Sequence, residues 1–306
     1  MVGTRLAALV TAAALGAGAL GTLAPAAGAA VGGGDCVDSR APTRDVTYRK
    51  VHGADAGLTK LDVYPAPDGC DAPVVVWVHG GGWRVGDKSQ GQDDKVELFG
   101  DLGYTYVSVN YRLTDDGAKT PVRYPVHEQD VAAAVAWVHD HIAEYGGDPD
   151  RIAVLGHSAG AQLVALLATD ERFLGRHDLG LDALACAAPL DTEGFDVTTA
   201  ASAPGRQGRI YQSAFGTDPA GWRRASALEH VAPDADIPPM LLVARGTPKR
   251  RAAMQAFADA LQGADIPVTV VEAGQYTHRD VNRQIGVAGE QVITPPLTTF
   301  LHDCFA

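Results

Sequence analysis

The stretch that most constrains this chain is Gly156-His157-Ser158-Ala159-Gly160, a G-x-S-x-G string set between a strand-like run and a helix-like run. Before it stands Arg151-Ile152-Ala153-Val154-Leu155, and after it Ala161-Gln162-Leu163-Val164-Ala165-Leu166-Leu167-Ala168, small, apolar and of high helix propensity. A sharp strand-to-helix turn presses its flanks together, so the positions two before and two after the serine must lack side chains. Ser158 is then left at the tip, its hydroxyl exposed beside the positive end of the helix. A Gly- and Ala-rich chain produces such strings by chance. The strand before and the helix after set this one apart.

The rest of the chain supplies the layers that such a turn needs. Thr43–Val51 and Leu58–Tyr64 read as an antiparallel hairpin that ends at the turn chemistry of residues 65–69. Val74-Val75-Val76-Trp77-Val78 is an uninterrupted apolar run, typical of a parallel strand covered on both faces. A helix near Asp93–Leu102, a strand over Tyr104–Asn110 and a long helical pattern over Pro125–Tyr145 follow. Gly146-Gly147-Asp148-Pro149-Asp150 reads as the turn into the Ser158 strand. Further strands are expected at Leu184–Ala188, Pro239–Val243 and Ile266–Val271, with a helix over Arg250–Leu261. The segment from Leu190 to Pro239 looks irregular, and the closing helix over Gln291–Phe300 looks interrupted at Pro295-Pro296. Strands alternating with helices imply βαβ units and a mostly parallel sheet.

Composition decides compartment and partners. Arg5, the apolar stretch Leu6–Leu23 and the small residues Ala24–Ala30 have the form of a signal peptide over residues 1–30. Residues 31–306 then form a single α/β domain, secreted to the extracellular side. Four cysteines remain in the mature chain, an even number that fits disulfides in an exported protein. Cys36 and Cys70 bracket the hairpin and are the preferred first pair, which leaves Cys186 with Cys304. A net charge of −12 argues against nucleic acid or anionic membrane surfaces as partners. No C-x-x-C or Cys/His cluster calls for a structural metal, and no cofactor motif stands out, so neither is expected.

An acyl-transfer chemistry needs a nucleophile, a base, an orienting acid and donors for an oxyanion. The donors have a source in His79-Gly80-Gly81-Gly82-Trp83, directly after the Val74–Val78 run. Consecutive glycines let backbone N–H groups face a ligand with no side chain in the way, so Gly81 and Gly82 would donate together with Ala159, the residue after the nucleophile.

At this point a resemblance becomes clear. His79–Trp83, Tyr111-Arg112-Leu113, Asp148-Pro149-Asp150-Arg151-Ile152 and Gly156–Gly160 stand in the order and spacing of the α/β-hydrolase superfamily. The chain resembles the esterases related to hormone-sensitive lipase, and especially the acetyl-xylan and feruloyl esterase and arylformamidase-like branch. Gly216-Thr217-Asp218 with Trp222 and Ser226 resembles the segment before that branch's seventh strand. The resemblance implies a mostly parallel eight-stranded sheet flanked by helices, and a triad in the order Ser, acid, His. His278, in Tyr276-Thr277-His278-Arg279-Asp280, is the histidine in the right place for the base. His79 and His157 read as loop-orienting residues.

The acid departs from the family. Its relatives place an Asp just after the seventh strand, where this chain reads Ala244-Arg245-Gly246-Thr247-Pro248-Lys249-Arg250-Arg251, with Lys249 at the corresponding position. Asp191, following Ala188-Pro189-Leu190, is the favoured replacement, because the loop after the sixth strand lies beside the elbow in the usual strand order. Glu193 and Asp196 are lesser candidates in the same loop, and a turn-capping role for Asp191 competes. A Ser-His dyad or a non-catalytic relative are the other ways to lose the acid.

The resulting expectation is a secreted serine carboxylesterase acting on a small-molecule ester through an acyl-serine intermediate. Little chain between Val31 and Thr43 could form a cap, which favours an open pocket and short-acyl or aryl esters. An arylformamidase-like amidase and a non-catalytic binding protein on a hydrolase scaffold are the alternatives.

Overall fold

A computed structural model describes residues 41–67 and 69–306. The expected signal peptide and Cys36 lie outside the described residues. Strands β1 (Thr43–Thr47), β2 (Lys60–Tyr64), β3 (Ala72–Val78), β4 (Thr105–Val109), β5 (Gly147–His157), β6 (Cys186–Leu190), β7 (Met240–Ala244) and β8 (Val268–Glu272) form one eight-stranded sheet ordered β1-β2-β4-β3-β5-β6-β7-β8. β2 pairs antiparallel with β1 and β4, and every pairing from β4 to β8 is parallel. This is the α/β-hydrolase fold. The helices, in chain order, are α1 (Asp93–Asp101), α2 (Val126–His141), α3 (Ala159–Leu167), α4 (Val197–Ala201), α5 (Arg206–Phe215), α6 (Pro219–Arg224), α7 (Pro248–Gly263), α8 (His278–Arg283) and α9 (Thr294–Phe305).

The two-residue period of a strand explains the layering. Along β3, Val74, Val76 and Val78 face one core with Val131 and Val135 of α2, Leu163 and Leu166 of α3 and Phe257 of α7. The intervening Val75 and Trp77 face a second core with Phe99 of α1 and Leu297 and Leu301 of α9. A continuous apolar run is therefore what this strand requires, since both of its faces are covered.

Three expectations shift. The segment between Leu190 and Pro239 holds α4, α5 and α6, of which α4 and α6, at five and six residues, are too short for a sustained hydrophobic period. Local capping defines two of these helices: Asp196 accepts from the Thr199 N–H to start α4, and Asp218 accepts from Ala220 and Gly221 to start α6. Pro295 and Pro296 do not interrupt α9 but occupy its first turn, where the missing N–H costs nothing. Residues 147–150 are not a free turn either. Gly147 already pairs with Ala72, and an irregularity in register precedes the Val74–Ile152 pair.

Cys186, in buried β6, is bonded to Cys304 of α9. Cys70 is also disulfide-bonded, and the partner expected for it, Cys36, lies outside the described residues. None of the described helices is long and apolar enough to cross a membrane.

Candidate active site

The carboxyl ends of β3, β5, β6, β7 and β8 face the same way, so the loops leaving them converge on one crevice. Ser158 is the first residue beyond β5 and stands at the N-cap of α3 with φ 59° and ψ −115°. A non-glycine residue in that region is strained, and the surrounding backbone holds it there. A Cβ on Gly160 would lie 2.1 Å from the Val78 carbonyl oxygen, and one on Gly156 would lie 2.5 Å from the Gly160 carbonyl oxygen. The Ser158 N–H donates to the Leu190 carbonyl at 3.2 Å, which fixes the tip of the turn against the end of β6.

The serine hydroxyl lies 2.8 Å from Nε2 of His278, and Nδ1 of His278 lies 2.5 Å from Oδ2 of Asp191. With the imidazole neutral, Nδ1–H donates to the carboxylate and Nε2 accepts from Ser158. His278 opens α8, and Thr277 closes a reciprocal capping box with Asp280 at its start. His157 steadies it from below: its Nε2–H donates to the His278 carbonyl at 2.7 Å. Burial, reinforced by the charge of His278, pushes the His157 pKa down to about 3, so this ring stays neutral.

Asp191 is the first residue beyond β6 and is almost fully buried. Its carboxylate caps no turn. Besides His278 it receives Nε–H of Arg245 and, at 2.8 Å, an N–H of Arg250. Burial alone would raise the pKa of this carboxyl. The His278 hydrogen bond and the two guanidiniums outweigh burial and hold it well below the usual carboxylate range. The other acidic residues of the loop are committed elsewhere. Glu193 pairs with Arg250 and accepts from Gln207 at 2.9 Å, while Asp196 caps α4. Lys249 lies exposed in the first turn of α7.

Gly81 and Gly82 follow β3 with φ of 123° and 60°, and a Cβ on Gly81 would fall 1.8 Å from the Val85 carbonyl oxygen. Among the described residues neither N–H has a protein acceptor. Both residues line a cavity of about 520 Å³ together with Ser158, Ala159, His278 and Asp191. Tyr111 supports the loop from beneath: its hydroxyl donates to the His79 carbonyl at 3.0 Å and its ring stacks on His79 at 4.5 Å. Arg112 instead forks onto the buried Asp130 with two contacts of 2.6 Å, a fold-holding role. Of the aromatic residues beyond β6, Tyr211 lines the cavity, whereas Phe195 stacks on Phe257 in the core.

The structure therefore brings Ser158, His278, Asp191, Gly81, Gly82 and Ala159 to one crevice. The arginine pair on Asp191 is what sequence reasoning missed. A cluster of basic residues where an acid was expected, Arg245 to Arg251, was the available signal. The ligating atoms of His157, Asp191 and His278 lie within 4.8 Å of one another, as a metal site would require. Each is already engaged in the hydrogen bonds above. Chemically, the arrangement can deprotonate a hydroxyl next to unpaired N–H donors, as acyl transfer demands.

Known proteins are similar to this chain in sequence or in fold. Two proteins of Mycobacterium tuberculosis are similar in sequence: Esterase LipQ, 39% identical over 132 residues, and Carboxylesterase NlhH, 40% identical over 124 residues. The matches cover 42% and 39% of this chain but 29% and 37% of those proteins, so the chain spans well under half the length of these relatives. A truncated carbohydrate esterase from gut microbiota superposes with a TM-score of 0.71 at 16% identity, covering 87% of this chain and 96% of that one. The hyperthermophilic esterase of Pyrobaculum calidifontis gives 0.66 at 21% identity, covering 81% and 82%. At these identities the likeness is one of fold. The BD-FAE family model matches residues 61–246. That span includes β2 through β7, the glycine loop and the serine elbow, and the chain belongs to the BD-FAE family of hormone-sensitive-lipase-like α/β hydrolases.

Proposed function

We propose that the protein is a secreted serine carboxylesterase for short-acyl or aryl esters, with Ser158, His278 and Asp191 as its triad. The observation that carries this reading is the continuous hydrogen-bond chain from the Ser158 hydroxyl through His278 to Asp191, set in a cavity with unpaired backbone donors. Ser158 Oγ attacks the ester carbonyl as Nε2 of His278 takes its proton. The carbonyl oxygen gathers negative charge and is received by the N–H groups of Gly81, Gly82 and Ala159. His278 then gives the proton to the leaving alcohol, and water, activated by the same imidazole, cleaves the acyl-serine.

Asp191 holds the Nδ1–H tautomer and offsets the imidazolium charge throughout. The cavity of about 520 Å³ suits a short acyl or aryl group, and strong preference for long-chain triglyceride emulsions would sink that part of the reading. The esterase names of the curated relatives support the reaction class. Secretion rests on residues 1–30 alone, and N-terminal sequencing of the protein from culture supernatant tests it.

Hydrolysis of p-nitrophenyl acetate by the mature protein, beside Ser158→Ala, tests the activity. Turnover by wild type and none by the folded variant supports it. Equal rates for the two would refute it.

A further inference from the structure

The cavity over Ser158 continues into a second one of about 520 Å³, and the two share Gly81, Gly82, Arg206 and Ile210. Together they form a groove leading from the serine along the first turn of α5. The charges on its walls fall into two groups. Arg250 is committed to Asp191 and Glu193, and Arg84 to Asp116, which Arg123 also approaches. Arg206 and Arg209 are different: both are exposed, and neither has a carboxylate within ion-pair distance among the described residues.

Their position makes this unusual. Both fall in the first turn of α5, which contains no acidic residue and starts at Gly205 with no side-chain cap. Cations are disfavoured at that end of a helix. The chain as a whole carries a net charge of −12, so two uncompensated guanidiniums run against both local and global electrostatics. An anionic ligand would relieve both.

We infer that this groove receives an anionic arm of the ester substrate, a carboxylate held by Arg206 and Arg209 while the ester carbonyl lies at Ser158. The inference rests on the esterase reading and narrows its substrate class. Neutral esters bind by the apolar contacts of Ile210, Trp83 and Tyr211 alone. An ester with a carboxylate on its acyl or alcohol arm gains charge-assisted contacts as well.

The test compares kcat/KM within matched pairs. One pair is 4-acetoxybenzoate and its methyl ester, with the charge on the alcohol arm. The other is the p-nitrophenyl monoester of adipic acid and p-nitrophenyl hexanoate, with the charge on the acyl arm. In wild type at low salt, the anionic-to-neutral ratio of at least one pair exceeds one. The R206Q/R209Q variant lowers that ratio about five-fold, the scale of two exposed charge contacts. Added 0.5 M NaCl lowers the wild-type ratio in the same direction, by screening, and Arg206→Glu lowers it further.

Turnover of the neutral esters with a ratio below one in both pairs, or one unmoved by the double substitution, overturns the inference and leaves the esterase reading standing. If no ester of either pair is hydrolysed, the esterase reading falls and takes the inference with it.

Discussion

Asp191, the first residue beyond β6, is hydrogen-bonded by Arg245, the first residue beyond β7. The two strands are neighbours in the sheet, so their ends deliver the two side chains to the same point above it. Relatives are expected to carry the triad acid beyond the seventh strand. Here the carboxylate that meets His278 lies one strand nearer the elbow, beyond β6, and Arg245 stands at the end of β7. Arg250, from the first turn of α7, completes the clamp on the other carboxylate oxygen.

Arg245→Gln therefore leaves Asp191 with His278 and Arg250 but removes the second donor on the oxygen that His278 holds. Because a misplaced triad member costs rate more than binding, kcat is expected to fall by about 10- to 100-fold with KM little changed. Arg245→Lys should not restore it, since a lysine has no donor at the position of the arginine Nε–H. Steady-state kinetics on the three proteins decide this. The same clamp has a signature in acid. Asp191 titrates lower folded than unfolded, so the stability it lends is present above about pH 4 and is lost as pH falls below it. Arg245→Gln should shrink that acid-dependent loss, measured as the fall in Tm between pH 5 and pH 3.

The glycine loop gives a second prediction. Gly81→Ala forces a methyl group onto the Val85 carbonyl and displaces the N–H groups facing the cavity. Loss of an oxyanion donor typically costs about 10²- to 10³-fold in kcat. Gly175→Ala, at a position with open space around it, serves as the control and should leave kcat unchanged. Normal turnover in Gly81→Ala would remove that loop from the reaction.

Glu128 of α2 is fully buried beside Gln162 of α3. Burial pushes its pKa up to about 8, so it is protonated in the fold at neutral pH. Its folded value lies above its unfolded one, so the fold binds the extra proton and stability falls as pH rises from about 4.5 to about 8, by at most about 1.4 kcal/mol per pH unit. Glu128→Gln keeps the shape without the titration. Denaturant melts at pH 5 and pH 8 should show a smaller difference for the variant than for wild type, while equal differences would contradict the buried-acid account.

The parts of this architecture written locally were legible in the chain. β3 announces itself because a strand buried on both faces admits only apolar residues from Val74 to Val78. The elbow is legible because only glycine fits at positions 156 and 160. The pairing of Cys186 with Cys304 followed by elimination and is observed. What resisted was set by contacts distant in sequence. Arg245 and Arg250 meet Asp191 across 54 and 59 residues, and nothing in their own neighbourhood says which carboxylate they hold. The helices α4 and α6 escaped because caps, rather than a hydrophobic period, define helices of five and six residues.

The central claim is that the acid of the triad sits beyond β6. The most direct test is kcat of Asp191→Asn on p-nitrophenyl acetate, measured between the wild-type rate and the Ser158→Ala background. A carboxylate that fixes the tautomer and offsets the imidazolium should cost about 10⁴-fold when neutralised, as in the serine-protease precedent. A folded Asp191→Asn protein that works within ten-fold of wild type would contradict the claim, and the relay would then end at His278.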